Sequence, residues 1–420
     1  MSMKHDNRGV EKTITMVLAA GVIAESIALA GTTINPFLAR PDADLFRIAE
    51  ESIEFTYNAS SGFQFAEDVQ RQTGELFSIN SAEELRLAFA QQGKELNTTF
   101  FLNVKSDLEV REILKNIDAG LTRCTWKFQY AIDSKGNKTD ATYHLYMFTV
   151  SYRDDFKVLQ AFRNEALTEN LTAGEIALKD EALRIIADII EPGMSDYEKV
   201  LAVHDYIVLN GRYEDSSNDP VIHAALHKTE GILINGVGVC TSYAGSMYLL
   251  LNMIGVECAF VTGIAQNSSG LTEVHAWNRV LISGDWYNFD ATWNDLAPDQ
   301  PGVVSYTYFG LTDKALAKTH DWDRDVYPQS AESEIYNYYN FNDLKSQDYA
   351  QFKAIVMREI MKQKGNPMIT VNVFVENYDP GKYSMNFIYG VLPKIKKASC
   401  SRINGTSGEL ILIITQEVLV

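Results

Sequence analysis

One stretch limits the possibilities for this chain more than any other: Gly236-Val237-Gly238-Val239-Cys240, followed at once by a helical pattern. Tyr243, Met247, Leu250 and Leu251 recur on one helical face, and Gly255 ends the run as a C′ residue. An apolar strand-like run, 256–261, comes next. Cys240 is therefore expected in the first turn of a helix. The partial positive charge there favours a thiolate, the nucleophilic form of cysteine. A free cysteine is more commonly a small buried hydrophobe, and Cys258, inside the apolar strand run, reads that way. Cys240 differs: a Gly-rich turn precedes it and the polar Thr241 and Ser242 follow it.

Farther along, 274–282 and 286–293 are two strand-like runs around Ser283-Gly284-Asp285, the pattern of a hairpin. With a two-residue loop at Ser283-Gly284, Ile282 opposes Asp285 and His275 opposes Thr292. Asp290 lies two residues from Thr292 and shares its face. His275 and Asp290 become diagonal neighbours, about 7–8 Å apart at Cα. A loop of odd length would send Asp290 to the other face. A cysteine at a helix start, with a histidine and an aspartate on one sheet face, is a layout for nucleophilic catalysis. Cys240 would attack a carbonyl, His275 would take and return the proton, and Asp290 would orient the imidazolium. The backbone N–H of Cys240 is one expected oxyanion donor. Asn235 is a second candidate, and Trp277 is expected to shield the site or line its cleft. Tyr243 and His204, each on an apolar helical face, read as packing.

Composition narrows the function. The chain has 420 residues, with 37 basic against 55 acidic and a net charge of −18. That length suggests two or three domains, and that charge argues against a nucleic-acid partner. Four cysteines without a C-x-x-C pair make neither a disulfide framework nor a zinc knuckle. His223 and His227 stand at i and i+4, but Ala224 occupies the place of the zincin glutamate, so they read as surface histidines. Gly236-x-Gly238 runs into Val239-Cys240 and is no phosphate loop. Neither cofactor nor metal is expected.

The organisation follows from texture. Residues 1–30 carry Lys4, Arg8 and Lys12, an apolar run over 14–24, and Ala28-Leu29-Ala30, the order of a secretory signal peptide. A secreted or cell-surface protein, with no membrane span after cleavage, is expected. Residues 31–44, with Pro36 and Pro41, read as a linker. An N-terminal α+β domain is expected over 45–175, a catalytic domain over 176–330 and a C-terminal α+β domain over 331–420. The flanks share a mix: helices at 81–90, 107–117, 348–362 and from Ser384, and strands at 98–105, 125–132, 143–152, 369–376 and 409–415, with turn residues at 134–137. The middle is different. Between 195 and 328 lie four of the five tryptophans and five of the seven histidines. Its first helix opens with the capping box Ser195-x-x-Glu198 and ends at Gly211.

These middle residues resemble the transglutaminase-like superfamily, in particular its bacterial branch. The matching pieces are GVGVCTSYAGSMYLLLNMIGVECAFVTG, HAWNRVLISGDWYNFDATWND and YFGLTDKALAKTHDW, with SDYEKVLAVHDYIVLNGRYE as a leading helix. The resemblance implies an α+β fold with a papain-like core, flanked here by two smaller α+β units. It implies that Cys240, His275 and Asp290 are nucleophile, base and orienting acid, acting through a thioester on a peptide or protein substrate. The acceptor is water in a peptidase or amidase and an amine in a cross-linking enzyme. Animal-type members use a tryptophan upstream of the nucleophile to hold the oxyanion. Here the nearest upstream tryptophan is Trp126, in the other domain, which points to hydrolysis ahead of cross-linking. A binding module with a silent triad is the rival reading.

Overall fold

The computed structural model describes residues 53–54, 78–114, 120–129, 142–214, 219–266, 270–296, 299–324, 327, 329–376, 383–392, 395–402 and 408–416. The expected signal peptide, the linker and the 134–137 turn lie outside these residues.

The first unit is a five-stranded sheet with two helices. In chain order it runs β1 (Ile53–Glu54), β2 (Ser78–Ile79), α1 (Ala82–Lys94), β3 (Thr99–Lys105), α2 (Val110–Leu114), β4 (Leu121–Gln129) and β5 (Tyr143–Tyr152). The strand order is β1-β4-β5-β3-β2. Ser81 caps α1 by accepting the Glu84 N–H, and Leu85 and Phe89 turn inward. The core of this unit is drawn from Ile79 to Tyr152 and includes Trp126.

Helices then dominate: α3 (Asp154–Arg163), α4 (Ala173–Ile189), α5 (Asp196–Asn210), α6 (Pro220–Leu226), α7 (Thr229–Leu233) and α8 (Cys240–Met253). The Ser195–Glu198 capping box opens α5 in both directions and Gly211 closes it. Every residue of α8 is buried. It is enclosed by α3, α5, α7 and the central sheet.

That sheet comprises β6 (Cys258–Gln266), β7 (Thr272–Ile282), β8 (Asp285–Phe289), β9 (Phe309–Leu311) and β10 (His320–Asp321). Short helices α9 (Ala291–Asn294) and α10 (Asp313–Leu316) interrupt it. The order is β10-β6-β7-β8-β9, and each pairing is antiparallel. The β7–β8 turn holds two residues, as parity requires, with Ile282 opposite Asp285. Ser283 and Gly284 both have positive φ, 53° and 93°, the backbone of a type I′ turn.

The last unit follows: α11 (Tyr338–Phe341), β11 (Lys345–Ser346), α12 (Tyr349–Lys362), β12 (Met368–Val375), α13 (Ile388–Val391), β13 (Ile395–Arg402) and β14 (Glu409–Gln416). Its order, β11-β12-β14-β13, matches β2-β3-β5-β4 of the first sheet, pairing for pairing. The buried residues of this unit and of the middle region belong to one continuous cluster, from Val158 to Ile414.

Candidate active site

Cys240 opens α8 because the preceding chain is folded tightly beneath it. Gly238 accepts the Glu214 N–H on its carbonyl and donates its own N–H to Arg212. A Cβ on Gly238 would come within 2.6 Å of the Ser242 hydroxyl oxygen, so only glycine fits. Ser242 accepts the Ile232 N–H and donates to the Lys228 carbonyl, fixing the first turn of α8. Asn278 of β7 ties the helix to the sheet, donating its amide to the carbonyls of Ala244 and Ala259.

His275 is 2% exposed. Its Nε2 lies 2.8 Å from Asp290 Oδ2, and the Cys240 thiol is close enough to act on the ring electrostatically. The structure therefore brings Cys240, His275 and Asp290 together. Their route differs from the expected one. β8 stops at Phe289, so Asp290 does not sit on the strand as His275's diagonal partner. It is the N-cap of α9, and its Oδ1 accepts the Trp293 N–H at 3.1 Å. Aspartate is a strong N-cap former, and this preference ends the ladder early. The freed Oδ2 turns to the imidazole.

Burial by itself lowers the pKa of His275, but the Asp290 carboxylate and Cys240 outweigh it and push it up to about 10. Burial would raise the Asp290 carboxyl, yet His275 and then His320 hold it well below the usual range. The pair is thus poised as carboxylate and imidazolium.

Of the two other candidates, one is placed elsewhere and one stands behind His275. Asn235 is exposed and donates its amide to the Glu230 carbonyl, so it is no oxyanion donor. Trp277 lines no open cleft: it is 1% exposed and lies nearly parallel to His275, with ring centroids 6.2 Å apart. It shields the imidazole from behind. Tyr243 and His204 are buried. Tyr243 donates its hydroxyl to Asp295, and His204 lies between Asp205 and Asn294. The His223 and His227 rings are adjacent and tilted, with centroids 4.7 Å apart, and His227 contacts the Thr241 hydroxyl. Among the described residues no third metal-ligating side chain joins them.

Sequence reasoning gave no role to His320, which supplies a second imidazole to Asp290, with Nε2 3.2 Å from Oδ2. It stands in the quoted Thr-His-Asp-Trp piece, but no local spacing links it to a carboxylate 30 residues earlier. The donor atoms of His275, Asp290 and His320 lie within 4.8 Å of one another, a spacing that suits a metal. Each is already engaged in the hydrogen bonds just given.

Residues 184–291 match the model of the transglutaminase-like superfamily. The chain carries a transglutaminase-like core. The matched segment holds all three of Cys240, His275 and Asp290, and members of the superfamily are typically cysteine-dependent enzymes. Among solved structures, a protein described as a TGase is 18% identical over 54% of this chain and 57% of that one, with a TM-score of 0.26. A provisionally assigned cysteine protease from Cytophaga hutchinsonii is 13% identical over 40% of this chain and 64% of that one, at 0.24. An arylamine N-acetyltransferase from Bacillus cereus, described with a Cys-His-Glu triad, is 14% identical over 47% and 83%, at 0.24. The chain spans less than two thirds of the first two of these structures. The search among curated proteins gives no match.

Proposed function

We propose that this transglutaminase-like core is a hydrolytic cysteine acyl-transfer enzyme, a peptidase or amidase acting on a peptide or protein. The observation that carries the reading is the buried His275–Asp290 pair, with Cys240 at the start of α8 near enough to act on the imidazole. The Cys240 sulfur adds to an amide carbonyl while His275 carries the thiol proton. The tetrahedral oxyanion is met by the Cys240 N–H, which has no intrahelical acceptor because it opens α8. His275 gives its proton to the departing amine, and the C–N bond breaks to leave a thioester. Water then adds, its proton passes to His275, and the thioester C–S bond breaks to release the acid and the thiol. Asp290 stays ionised and keeps the ring oriented.

Hydrolysis is favoured over amine transfer because Trp126, the nearest upstream tryptophan, is locked in the core of the first sheet and has no part in the site. Export to the cell surface, from the order of charges and apolar residues in 1–30, makes a surface or cell-wall peptide the natural substrate class. The test is a library of peptide amides incubated with and without excess cadaverine, with Cys240 followed by intact-mass spectrometry. The expected result is a thioester on Cys240, acid products in both cases, and a loss of about 10³-fold or more in Cys240→Ala and His275→Ala. Products dominated by the cadaverine amide would overturn hydrolysis. Turnover unchanged in Cys240→Ala would overturn the mechanism.

A further inference from the structure

We infer that His320 is a positioning residue of this site: a neutral ring that donates its Nε2–H to Asp290 and fixes the carboxylate that orients His275. The inference rests on the proposed triad and adds a fourth side chain to it.

Asp290 is a buried carboxylate with three donors. Oδ1 takes the Trp293 N–H at 3.1 Å, and Oδ2 takes His275 at 2.8 Å and His320 at 3.2 Å. An ionised carboxylate only accepts, so both imidazoles must present an N–H to it. For a neutral His320 this leaves a lone pair on Nδ1. The Thr319 hydroxyl lies 2.9 Å from that nitrogen, and a hydroxyl serves as donor to it or to the Leu316 carbonyl at 3.3 Å. Asp290 therefore selects the tautomer, and the Thr319 hydroxyl is placed to meet the nitrogen left over.

The ring has no freedom to leave. It is 2% exposed, with Trp293, Trp277 and Tyr308 at centroid distances of 4.6, 5.0 and 5.6 Å. Its backbone is fixed too, since His320 pairs with Ala265 across β10 and β6. The titratable groups facing it are Asp290, His275 and Tyr308. His275, 5.5 Å away, is the cationic partner of Asp290, and two cations so close in a buried site repel. Burial accordingly lowers the pKa of His320, against the pull of Asp290. Filling space would not require a ring nitrogen aimed at the triad acid, with its second nitrogen also met by a hydroxyl.

The experiment is the pH profile of iodoacetamide alkylation at Cys240, read by mass spectrometry on the full chain, with buried Cys258 as the internal folding control. Wild type is compared with His320→Phe, which keeps a ring without the donor, and His320→Gln, which returns an N–H near the Nε2 position. Loss of one donor makes Asp290 easier to protonate, so in His320→Phe the acid limb of the profile moves up by about one pH unit, a tenfold slower reaction on that limb. His320→Gln restores most of it. A limb unmoved in His320→Phe, with Cys258 still protected, overturns this inference alone. A wild-type profile with no acid limb overturns the triad and this inference with it. If His320→Phe does not fold, long-range ¹H–¹⁵N spectra of the wild type decide: a neutral Nε2–H tautomer at His320 is expected, and an Nδ1–H tautomer refutes the proposal.

Discussion

The two outer sheets are built alike and attached differently. Apart from β1, an extra edge strand parallel to β4 in the first, both sheets run strand, helix, strand, helix, strand, strand, with a parallel first pairing and antiparallel pairings after it. Even their helices agree: Leu85 and Phe89 of α1, and Phe352 and Val356 of α12, are buried at the fourth and eighth positions. Yet the first sheet closes a core of its own, whereas the last shares one with the region of the candidate site. A single register position shows the difference. Ser78 pairs with Asn103, which pairs with half-buried Leu145. In the last sheet Lys345 pairs with Phe374, which pairs with fully buried Glu409.

Glu409 binds the catalytic region to the sheet. Its carboxylate accepts from the hydroxyls of Ser305, Thr307 and Tyr339, the Tyr306 N–H and the Asn372 amide. On its other side the 305–308 segment reaches the site: Asn294 accepts the Tyr308 N–H, and the Tyr308 carbonyl accepts the Asp290 N–H. The first sheet is joined through Arg153 and through Phe156 and Leu167, which pack against both cores. The Arg153 N–H meets the Gly120 carbonyl, and its guanidinium pairs with Asp155 and lies over Phe260. Topology thus repeats while the attachment to the candidate site does not.

Exchanging the side chains at that register position tests the contrast most severely. Glu409→Leu, which gives the last sheet the residue of the first, strands five donors and is expected to cost about 3–5 kcal/mol in urea unfolding. A cost below about 1 kcal/mol would mean that the last sheet is no more tightly joined than the first.

Phe89→Ala is the counterpart in the first sheet. It should cost about 3–4 kcal/mol, seen as faster hydrogen exchange confined to 78–152. Cys240 alkylation should stay within about twofold of wild type, since a separate core transmits little to the site. A tenfold loss would join that sheet to the site after all.

Titration separates the regions further. The pKa of His275 is raised in the folded state to about 10. Its stabilising contribution is therefore complete below about pH 6.5 and fades as the pH rises toward 10. The core and the last sheet should lose protection over that range, and His275→Gln should flatten the loss. Protection of 78–114 should not follow. The smallest effect is expected from Leu145→Ala, about 1 kcal/mol or less at a half-buried position.

Much of the site was legible because its signals are local. A glycine that nothing larger can replace precedes Cys240, and a two-residue turn fixes the His275 hairpin. Strand parity points to Asp290, but its N-cap role in α9 decides where the carboxylate goes. His320, Asn278 and Glu409 act across tens of residues, and periodicity carries no sign of such contacts. The helices α3 and α4 were not foreseen, nor was β13, whose Ile395-Lys-Lys-Ala-Ser-Cys-Ser-Arg402 is too polar to read as a strand. The shared topology of the flanks showed only as a similar mix of elements, since their residues are not alike.

The most direct measurement is the rate of Cys240 alkylation at pH 5–6 in the folded wild-type chain, against His275→Ala. An ordinary thiol, with a pKa of about 8.5, reacts more than a hundredfold slower there than at pH 9. If Cys240 and His275 form a thiolate–imidazolium pair, alkylation persists at pH 5–6 and collapses in His275→Ala. Equal profiles in the two proteins, both following an ordinary thiol, would contradict the triad.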